Sequence, residues 1–265
     1  MIELPFQSKR IHVRPGYFMN VHVSGNPRGR PVVFIHGRAS SFETWQHQLK
    51  AFQNDGRFQI IAYDLNGHGQ SDYESHASVA EHAEDLDNLL EELNIRGPVD
   101  LVGHSDGAAI AQTFALDHPT LVRKMVLVAG YDRPPVDVRT KNKIALGLYK
   151  LSRISNFSDR FYDKLLGIMD AKPLRVSDRP PELGVLMEHF DAFNRFNVRN
   201  KVPRALRPHT LLVCSQIDPH AAIGQQRLAK KWDALQYTVG RDTHSPHLER
   251  PEQVNRHLLH FLSSG

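Results

Sequence analysis

The sequence predicts an α/β fold: a mostly parallel sheet flanked by helices, with a helical cap inserted late in the sheet. Three observations predict it. Short apolar runs alternate with stretches of helical periodicity over most of the 265 residues, the pattern of strands covered on both faces by helices. Gly103-His104-Ser105-Asp106-Gly107 stands between an apolar run and a small-residue run, so a tight turn joins a strand to a helix there. The alternation breaks between Arg133 and about Pro208, where helical stretches continue without a convincing buried strand.

The first fifth reads mostly as strands. Ile11–Arg14 and Tyr17–Val23 flank Pro15-Gly16, a hairpin-like pair. Pro31–His36 is a continuous apolar run, as a buried strand requires. Ser40 or Ser41 is placed to cap a helix running to about Phe52, with Phe42, Trp45, Leu49 and Phe52 at helical spacing. Phe58–Tyr63 is the next buried strand, and Ser78–Leu93 an amphipathic helix with Val79, Leu86, Leu89, Leu90 and Leu93 inward. Val99–Val102 and Lys124–Ala129 are further strands. Helical stretches follow at 141–152, 159–169 and 182–196, punctuated by Pro134-Pro135, Pro180-Pro181 and Pro203. Alternation resumes with strand Thr210–Ser215, helix Ala221–Trp232, strand Tyr237–Val239 and helix Pro251–Leu262. The expected organisation is a core of residues 1–132 and 209–265 with a helical cap, 133–208, over the carboxyl edge of the sheet, where ligands bind in such sheets.

Composition narrows the class. Hydrophobic residues make up 40% and charged residues 23%, ordinary for a globular domain. No apolar stretch is long enough to span a bilayer, and Met1–Arg10 lacks the apolar core of a signal peptide. Cys214 is the only cysteine, so no intrachain disulfide forms, and a cytoplasmic location is expected. Its apolar surroundings read as a small buried hydrophobe. The net charge of +4 is spread along the chain, without a basic run or a nucleic-acid-binding signature. The expected partner is a small-molecule substrate, with neither nucleic acid nor membrane.

Ser105 is the candidate nucleophile. In a strand–turn–helix this tight, only small residues fit two positions either side, and glycine fills both. The turn lifts the hydroxyl to a helix N-terminus, which favours developing negative charge. A serine needs a base held by a third group. The candidate acid is Asp218, just past the strand at Thr210–Ser215. Asp132, just past the strand ending at Ala129, is the alternative acid. The candidate base is His244, after the last strand, with His247 as competitor. The order Ser105, Asp218, His244 is the serine–acid–histidine order of one class of hydrolases.

These motifs resemble the α/β-hydrolase-fold family over nearly the whole chain. That family's strand before the first core helix ends in His-Gly, matched by His36-Gly37-Arg38-Ala39-Ser40. A turn of the form Asp-x-x-Gly-x-Gly-x-Ser follows the next strand, matched by Asp64 to Ser71. The family's final histidine precedes a Glu and a Pro at the spacing of His244, Glu249 and Pro251, which selects His244 over His247. The resemblance implies an oxyanion hole from the backbone N–H groups of Arg38 and Asp106. Their side chains are then free for other work. Asp106 is expected to turn aside into a hydrogen-bonded network, since a carboxylate aimed at an oxyanion would oppose catalysis; binding a cationic substrate group is the alternative. The Arg38 guanidinium could bridge a loop acid or clamp a substrate carboxylate.

No cofactor or metal is expected. The glycine turn offers only Asp64 and His68 as strong ligands, and no supporting set joins His244 and His247. The resulting expectation is a serine hydrolase that cleaves an ester, thioester or lactone through an acyl-enzyme on Ser105. The alternatives are a cofactor-independent oxygenase or C–C bond hydrolase of the same fold, or a non-catalytic ligand receptor. Residues 133–208 carry 16 Lys or Arg against 8 Asp or Glu, a net +8 that could attract an anionic substrate. Phe157, Phe161, Tyr162, Phe190, Phe193 and Phe196 either roof an apolar pocket or fill the core of the cap.

Overall fold

Apolar β-rich runs bounded by turns assemble one sheet, with its order given by a computed structural model that describes residues 7–75, 78–152, 181–199, 209–214, 219–240 and 244–264. The strands are β1 (Ser8–Arg14), β2 (Tyr17–Gly25), β3 (Arg30–Ile35), β4 (Phe58–Tyr63), β5 (Val99–His104), β6 (Val122–Val128), β7 (Thr210–Cys214) and β8 (Leu235–Thr238). Among the described residues they form an eight-stranded sheet in the order β1-β2-β4-β3-β5-β6-β7-β8. β1 pairs with β2 and β2 with β4 in antiparallel fashion. From β4 onward every neighbour is parallel. The loops after β3, β4, β5, β6, β7 and β8 therefore leave the same edge of the sheet. Arg38, Asp64, Ser105, Asp132 and His244 all lie on those loops.

The helices cover both faces. α2 (Val79–Glu92) and α3 (Asp106–Asp117) share one core with Ile35, Leu101 and Leu127. α1 (Gln46–Asp55) and the C-terminal α8 (Pro251–Ser263) share the other with Phe34, Phe58 and Val126. Trp45, Phe34, Phe52 and Phe58 are fully buried there, and each such large apolar side chain contributes roughly 1.5–3 kcal/mol of transfer free energy. Ser78 starts α2 with a capping box: its hydroxyl accepts from the Glu81 N–H while the Glu81 carboxylate accepts from the Ser78 N–H at 2.7 Å. Cys214 is buried, as a small hydrophobe should be.

The start of α1 differs from expectation. Neither Ser40 nor Ser41 caps it. Ser41 is extended and makes no side-chain cap bond, and the chain first forms a 3₁₀ turn over Phe42–Trp45. The Ser41 hydroxyl instead donates to Glu43 Oε2 at 3.4 Å, and the Phe42 N–H is held by Asp64 Oδ1 at 2.8 Å.

Between β6 and β7 the described chain is helical, with α4 (Val136–Ser152) and α5 (Leu183–Asn194). Ala145, Leu186, Met187 and Phe190 pack with Ala39 in a small apolar cluster of their own. Asn142 Nδ2 donates to Asn194 Oδ1 at 2.8 Å across the two helices. Phe190, Phe193 and Phe196 are buried, so they are core rather than pocket roof. Phe157, Phe161, Tyr162 and the expected helix 159–169 lie outside the described residues. β8 leads to residues 241–243, also outside them, and then to α7 (Pro246–Glu249) before α8. α6 (Pro219–Trp232) joins β7 to β8. No helix of the described residues is long and apolar enough to cross a membrane.

Candidate active site

Ser105 sits at the β5–α3 junction with φ 52 and ψ −114, a left-handed conformation that L-residues rarely adopt. Packing enforces it. A Cβ on Gly103 would run into the Gly107 backbone, and a Cβ on Gly107 would strike the carbonyls of Ile35 and His36. The turn therefore closes only with glycine at both positions, and it presents Ser105 at the mouth of α3. The β3 loop passes directly beside it: a Cβ on Gly37 would come 3.2 Å from Ser105 Cβ.

His244 Nε2 lies 2.7 Å from Ser105 Oγ. The loop after β8 thus brings an imidazole to the serine hydroxyl across 139 residues of sequence. His104, the residue before the serine, steadies that loop by donating its Nε2–H to the His244 carbonyl at 2.9 Å. The competitor His247 is buried, its Nε2 lying 3.1 Å from Thr44 Oγ1 and its ring against those of Trp45 and His104. Burial holds it neutral, with its pKa well below the ordinary histidine value.

Two candidate acids have different fates. Asp218 lies outside the described residues. Asp132 is only 1% exposed and is taken by Arg227 of α6, which reaches it with Nε at 3.0 Å and Nη2 at 2.6 Å. Its carboxylate is thus committed to a guanidinium.

Asp106, as N1 of α3, has an N–H with no carbonyl acceptor inside the helix. Its side chain turns away into a buried network. Oδ2 accepts from Arg38 Nε at 2.7 Å and from His189 Nε2 at 3.2 Å. Oδ1 accepts from Arg38 Nη2 at 3.3 Å and from the Tyr131 hydroxyl. Burial alone would raise the Asp106 carboxyl, but Arg38, His189 and Tyr131 outweigh it and hold it far below the ordinary carboxylate range. The Arg38 guanidinium also lies over the Phe190 ring, 4.1 Å from its centroid. Of its two expected uses, Arg38 has the bridge to a loop acid, and that acid is Asp106, the residue after Ser105.

Tyr131 and His189 escaped the sequence reading. Tyr131 follows β6 at the carboxyl edge of the sheet, and His189 interrupts the apolar stretch Val185–Phe190. A polar-tipped ring at a strand end and a histidine among core positions were the available signals.

The remaining buried polar groups organise loops. Asp64 accepts from Asn20 Nδ2, Phe42 N–H and Gln70 N–H. His36 Nε2 accepts from the Leu65 N–H at 2.9 Å, so its proton is on Nδ1, donated to the Gly37 carbonyl at 2.7 Å. Burial pushes its pKa down to about 3. His68 Nδ1 pairs with the Asn66 carbonyl, and burial lowers its pKa as well. Among the described residues no group of three or more His, Cys, Asp or Glu is arranged to hold a metal ion.

A family model described as "alpha/beta hydrolase fold" matches residues 30–251. Two curated relatives are matched over part of the chain. A cis-3-alkyl-4-alkyloxetan-2-one decarboxylase of Xanthomonas campestris is 33% identical over 141 residues, 49% of this chain and 46% of that protein. A non-heme chloroperoxidase of Streptomyces lividans is 40% identical over 114 residues, 42% of this chain and 40% of that protein. Each match thus covers under half of the relative. Among solved structures, a thermophilic esterase from Thermogutta terrifontis superposes with a TM-score of 0.74 at 20% identity, covering 97% of this chain and 98% of that one, a likeness of fold. With its mixed eight-stranded sheet, flanking helices and strand–serine–helix junction, the chain belongs to the α/β-hydrolase-fold family.

Proposed function

We propose that this protein is a serine hydrolase that cleaves an ester, thioester or lactone through an acyl-enzyme on Ser105. The single observation that carries the reading is the 2.7 Å contact between His244 Nε2 and a serine held at left-handed φ on a helix N-terminus. In that geometry His244 accepts the hydroxyl proton as Oγ attacks the acyl carbonyl carbon. The carbonyl oxygen becomes an oxyanion, received by the N–H groups of Arg38 and Asp106, where one donor is typically worth ~3 kcal/mol. His244 then returns the proton to the leaving alkoxide or thiolate, and the C–O or C–S bond breaks. Water attacks the acyl-enzyme by the same route in reverse and frees the carboxylic acid. Asp218 is assigned as the group that orients His244, because it follows β7 by four residues in the sequence and Asp132 is engaged by Arg227. No step so drawn calls for a cofactor.

Residues 133–208 are assigned as a cap over this site. The reading is supported by His189 and Phe190 of α5, which reach Asp106 and Arg38 beside the nucleophile. Their net +8 favours an anionic substrate drawn by the field of the cap as a whole. The lone cysteine, Cys214, supports a reducing cytoplasm as the working compartment.

The test combines a fluorophosphonate label with a panel of esters, thioesters and lactones. The label should attach to Ser105, and Ser105→Ala should lose on the order of a millionfold in turnover while staying folded. Near-wild-type turnover in Ser105→Ala would remove serine catalysis and move the reading to chemistry on His244.

A further inference from the structure

We infer that the Arg38–Asp106 ion pair is a positioning device that fixes the spacing of the two proposed oxyanion donors, with Tyr131 and His189 locking it in place. The inference rests on the serine-hydrolase reading of Ser105 and goes beyond it, because it assigns the side chains of residues whose backbones alone that reading uses.

An oxyanion hole works only if both N–H groups already point at where the charge will form. Here the donors come from different loops, 68 residues apart in sequence. Asp106 is anchored by α3. Arg38 is on a loop that turns through Ala39 at φ 51, outside any helix or strand. Close backbone packing at Gly37 and Gly107 brings this loop against the turn at Ser105, and the Arg38 and Asp106 side chains add the constraint on where the Arg38 backbone points. The Arg38 fork meets both oxygens of the Asp106 carboxylate, and a fork on a planar acceptor fixes direction as well as distance.

The carboxylate is saturated. Each of its oxygens receives two donors: Arg38 Nη2 and Tyr131 on one, Arg38 Nε and His189 on the other. An ionised carboxylate has about four acceptor positions in all. No acceptor remains for a cationic substrate group, so that use of Asp106 is displaced. The pairing also removes the objection to an acid at this position. Arg38 and Asp106, 15% and 1% exposed, form a neutral unit beside the developing oxyanion instead of a lone negative charge. The two supporting donors come from different elements and reach different oxygens, Tyr131 from just past β6 and His189 from α5. The guanidinium lies over the Phe190 ring, so α5 packs against the unit as well.

The test uses Arg38→Gln, Asp106→Asn and the double variant, with Ser105→Ala as the reference. Three quantities are measured: kcat and KM on a neutral p-nitrophenyl ester, and the Kd of an aryl trifluoromethyl ketone, whose serine adduct places its oxygen in the hole. Misplacing a donor by ~1 Å costs about a hundredfold in rate. Arg38→Gln should lower kcat by that order, weaken the ketone in parallel and leave KM within about twofold. The double variant should be no worse than Arg38→Gln by more than about twofold, since the pair acts as one unit. Arg38→Lys, which keeps the charge but loses the fork, should recover only part of the rate.

A folded Arg38→Gln with unchanged kcat and ketone affinity overturns the inference. So does a raised KM with unchanged kcat, which would make Arg38 a substrate contact. If Arg38→Gln does not fold, Asp106→Asn keeps the shape of the side chain but removes the charge and turns one acceptor oxygen into a donor; it should show a loss with the same kcat, KM and ketone pattern, and a wild-type rate again overturns the inference. A wild-type protein that neither takes the fluorophosphonate nor turns over any ester sinks the underlying reading and the inference with it. Labelled wild type with unaffected variants sinks the inference alone.

Discussion

Asp106 and Asp132 stand just past the carboxyl ends of neighbouring parallel strands, each 1% exposed and each gripped by an arginine fork. Their surroundings separate them. Arg227 is 40% exposed and keeps one side in water. Arg38 is 15% exposed, and its carboxylate also holds Tyr131 and His189. The first pair ties a helix to a strand end at the rim. The second ties the β3 loop, the start of α3 and α5 together at the serine. Similar chemistry on adjacent strands thus has different consequences, decided by what else the carboxylate touches and by which element supplies the arginine.

The sharpest way to break the comparison is through turnover. Asp218→Asn is expected to lower kcat by about 10⁴, since an amide fixes the wrong imidazole tautomer. Asp132→Asn is expected to leave kcat within about threefold, because its carboxylate already serves Arg227. Steady-state kinetics on one neutral ester decides it. A collapse in Asp132→Asn with a mild effect in Asp218→Asn would reverse the assignment of the acid.

Stability should separate the two acids next. Removing Asp106 leaves a mostly buried guanidinium without its charge partner, a change that costs about 3–5 kcal/mol. Removing Asp132 leaves Arg227, which water already reaches, and solvent screening cuts the loss to about 1 kcal/mol. Urea midpoints of Asp106→Ala and Asp132→Ala, at unchanged m-value, read this difference directly. Equal midpoints would mean that exposure of the arginine does not set the cost.

Much of this could be read in the chain because it is local. The glycine-flanked turn at Ser105, the alternation of β5 and α3 and the amphipathic helix starting at Ser78 each depend on residues a few positions apart. The site's second half depends on contacts across the fold. Asp106 meets Arg38, Tyr131 and His189, which lie 68, 25 and 83 residues away. No spacing rule encodes such a meeting. The same limit explains the start of α1, where Ser41 has the right residue type for a cap. A carboxylate 22 residues on holds the Phe42 N–H, and the Ser41 hydroxyl turns to Glu43 instead of the helix.

Acid should act on the histidines before it acts on Asp106. His36 is buried neutral with its pKa at about 3, and burial also lowers His68 and His247. Unfolded, each returns to an ordinary value near 6.5. Below that pH the unfolded chain binds protons that the native protein refuses, so stability falls as pH falls, by up to ~1.4 kcal/mol per pH unit for each such histidine. Asp106 is shifted in the same direction, but in a lower pH range: its depressed carboxyl contributes stability above the unfolded carboxylate range, lost progressively as pH drops from that range toward its much lower folded value. Urea midpoints between about pH 6.5 and 4.5 should therefore decline, and His36→Asn should flatten the slope by about one proton. A flat profile in the wild type would show that these rings are not neutral by burial.

The smallest expected effect concerns charge selectivity. An arginine at the mouth of a site invites the idea of a substrate clamp, and a free guanidinium there would favour anionic esters. Arg38 is not free: both arms of its fork are on Asp106 and its face is on Phe190. Arg38→Met should then lower kcat on an anionic ester and on its neutral analogue by the same factor. The ratio of their kcat/KM values should move by less than about twofold, under ~0.4 kcal/mol of differential binding. Any preference for anions should follow the distributed +8 of residues 133–208 and weaken with salt for the variant and the wild type alike. A KM that rises for the anionic ester alone would show that substrate competes Arg38 away from Asp106, and the two arginine–aspartate pairs would then differ in exchangeability rather than in position.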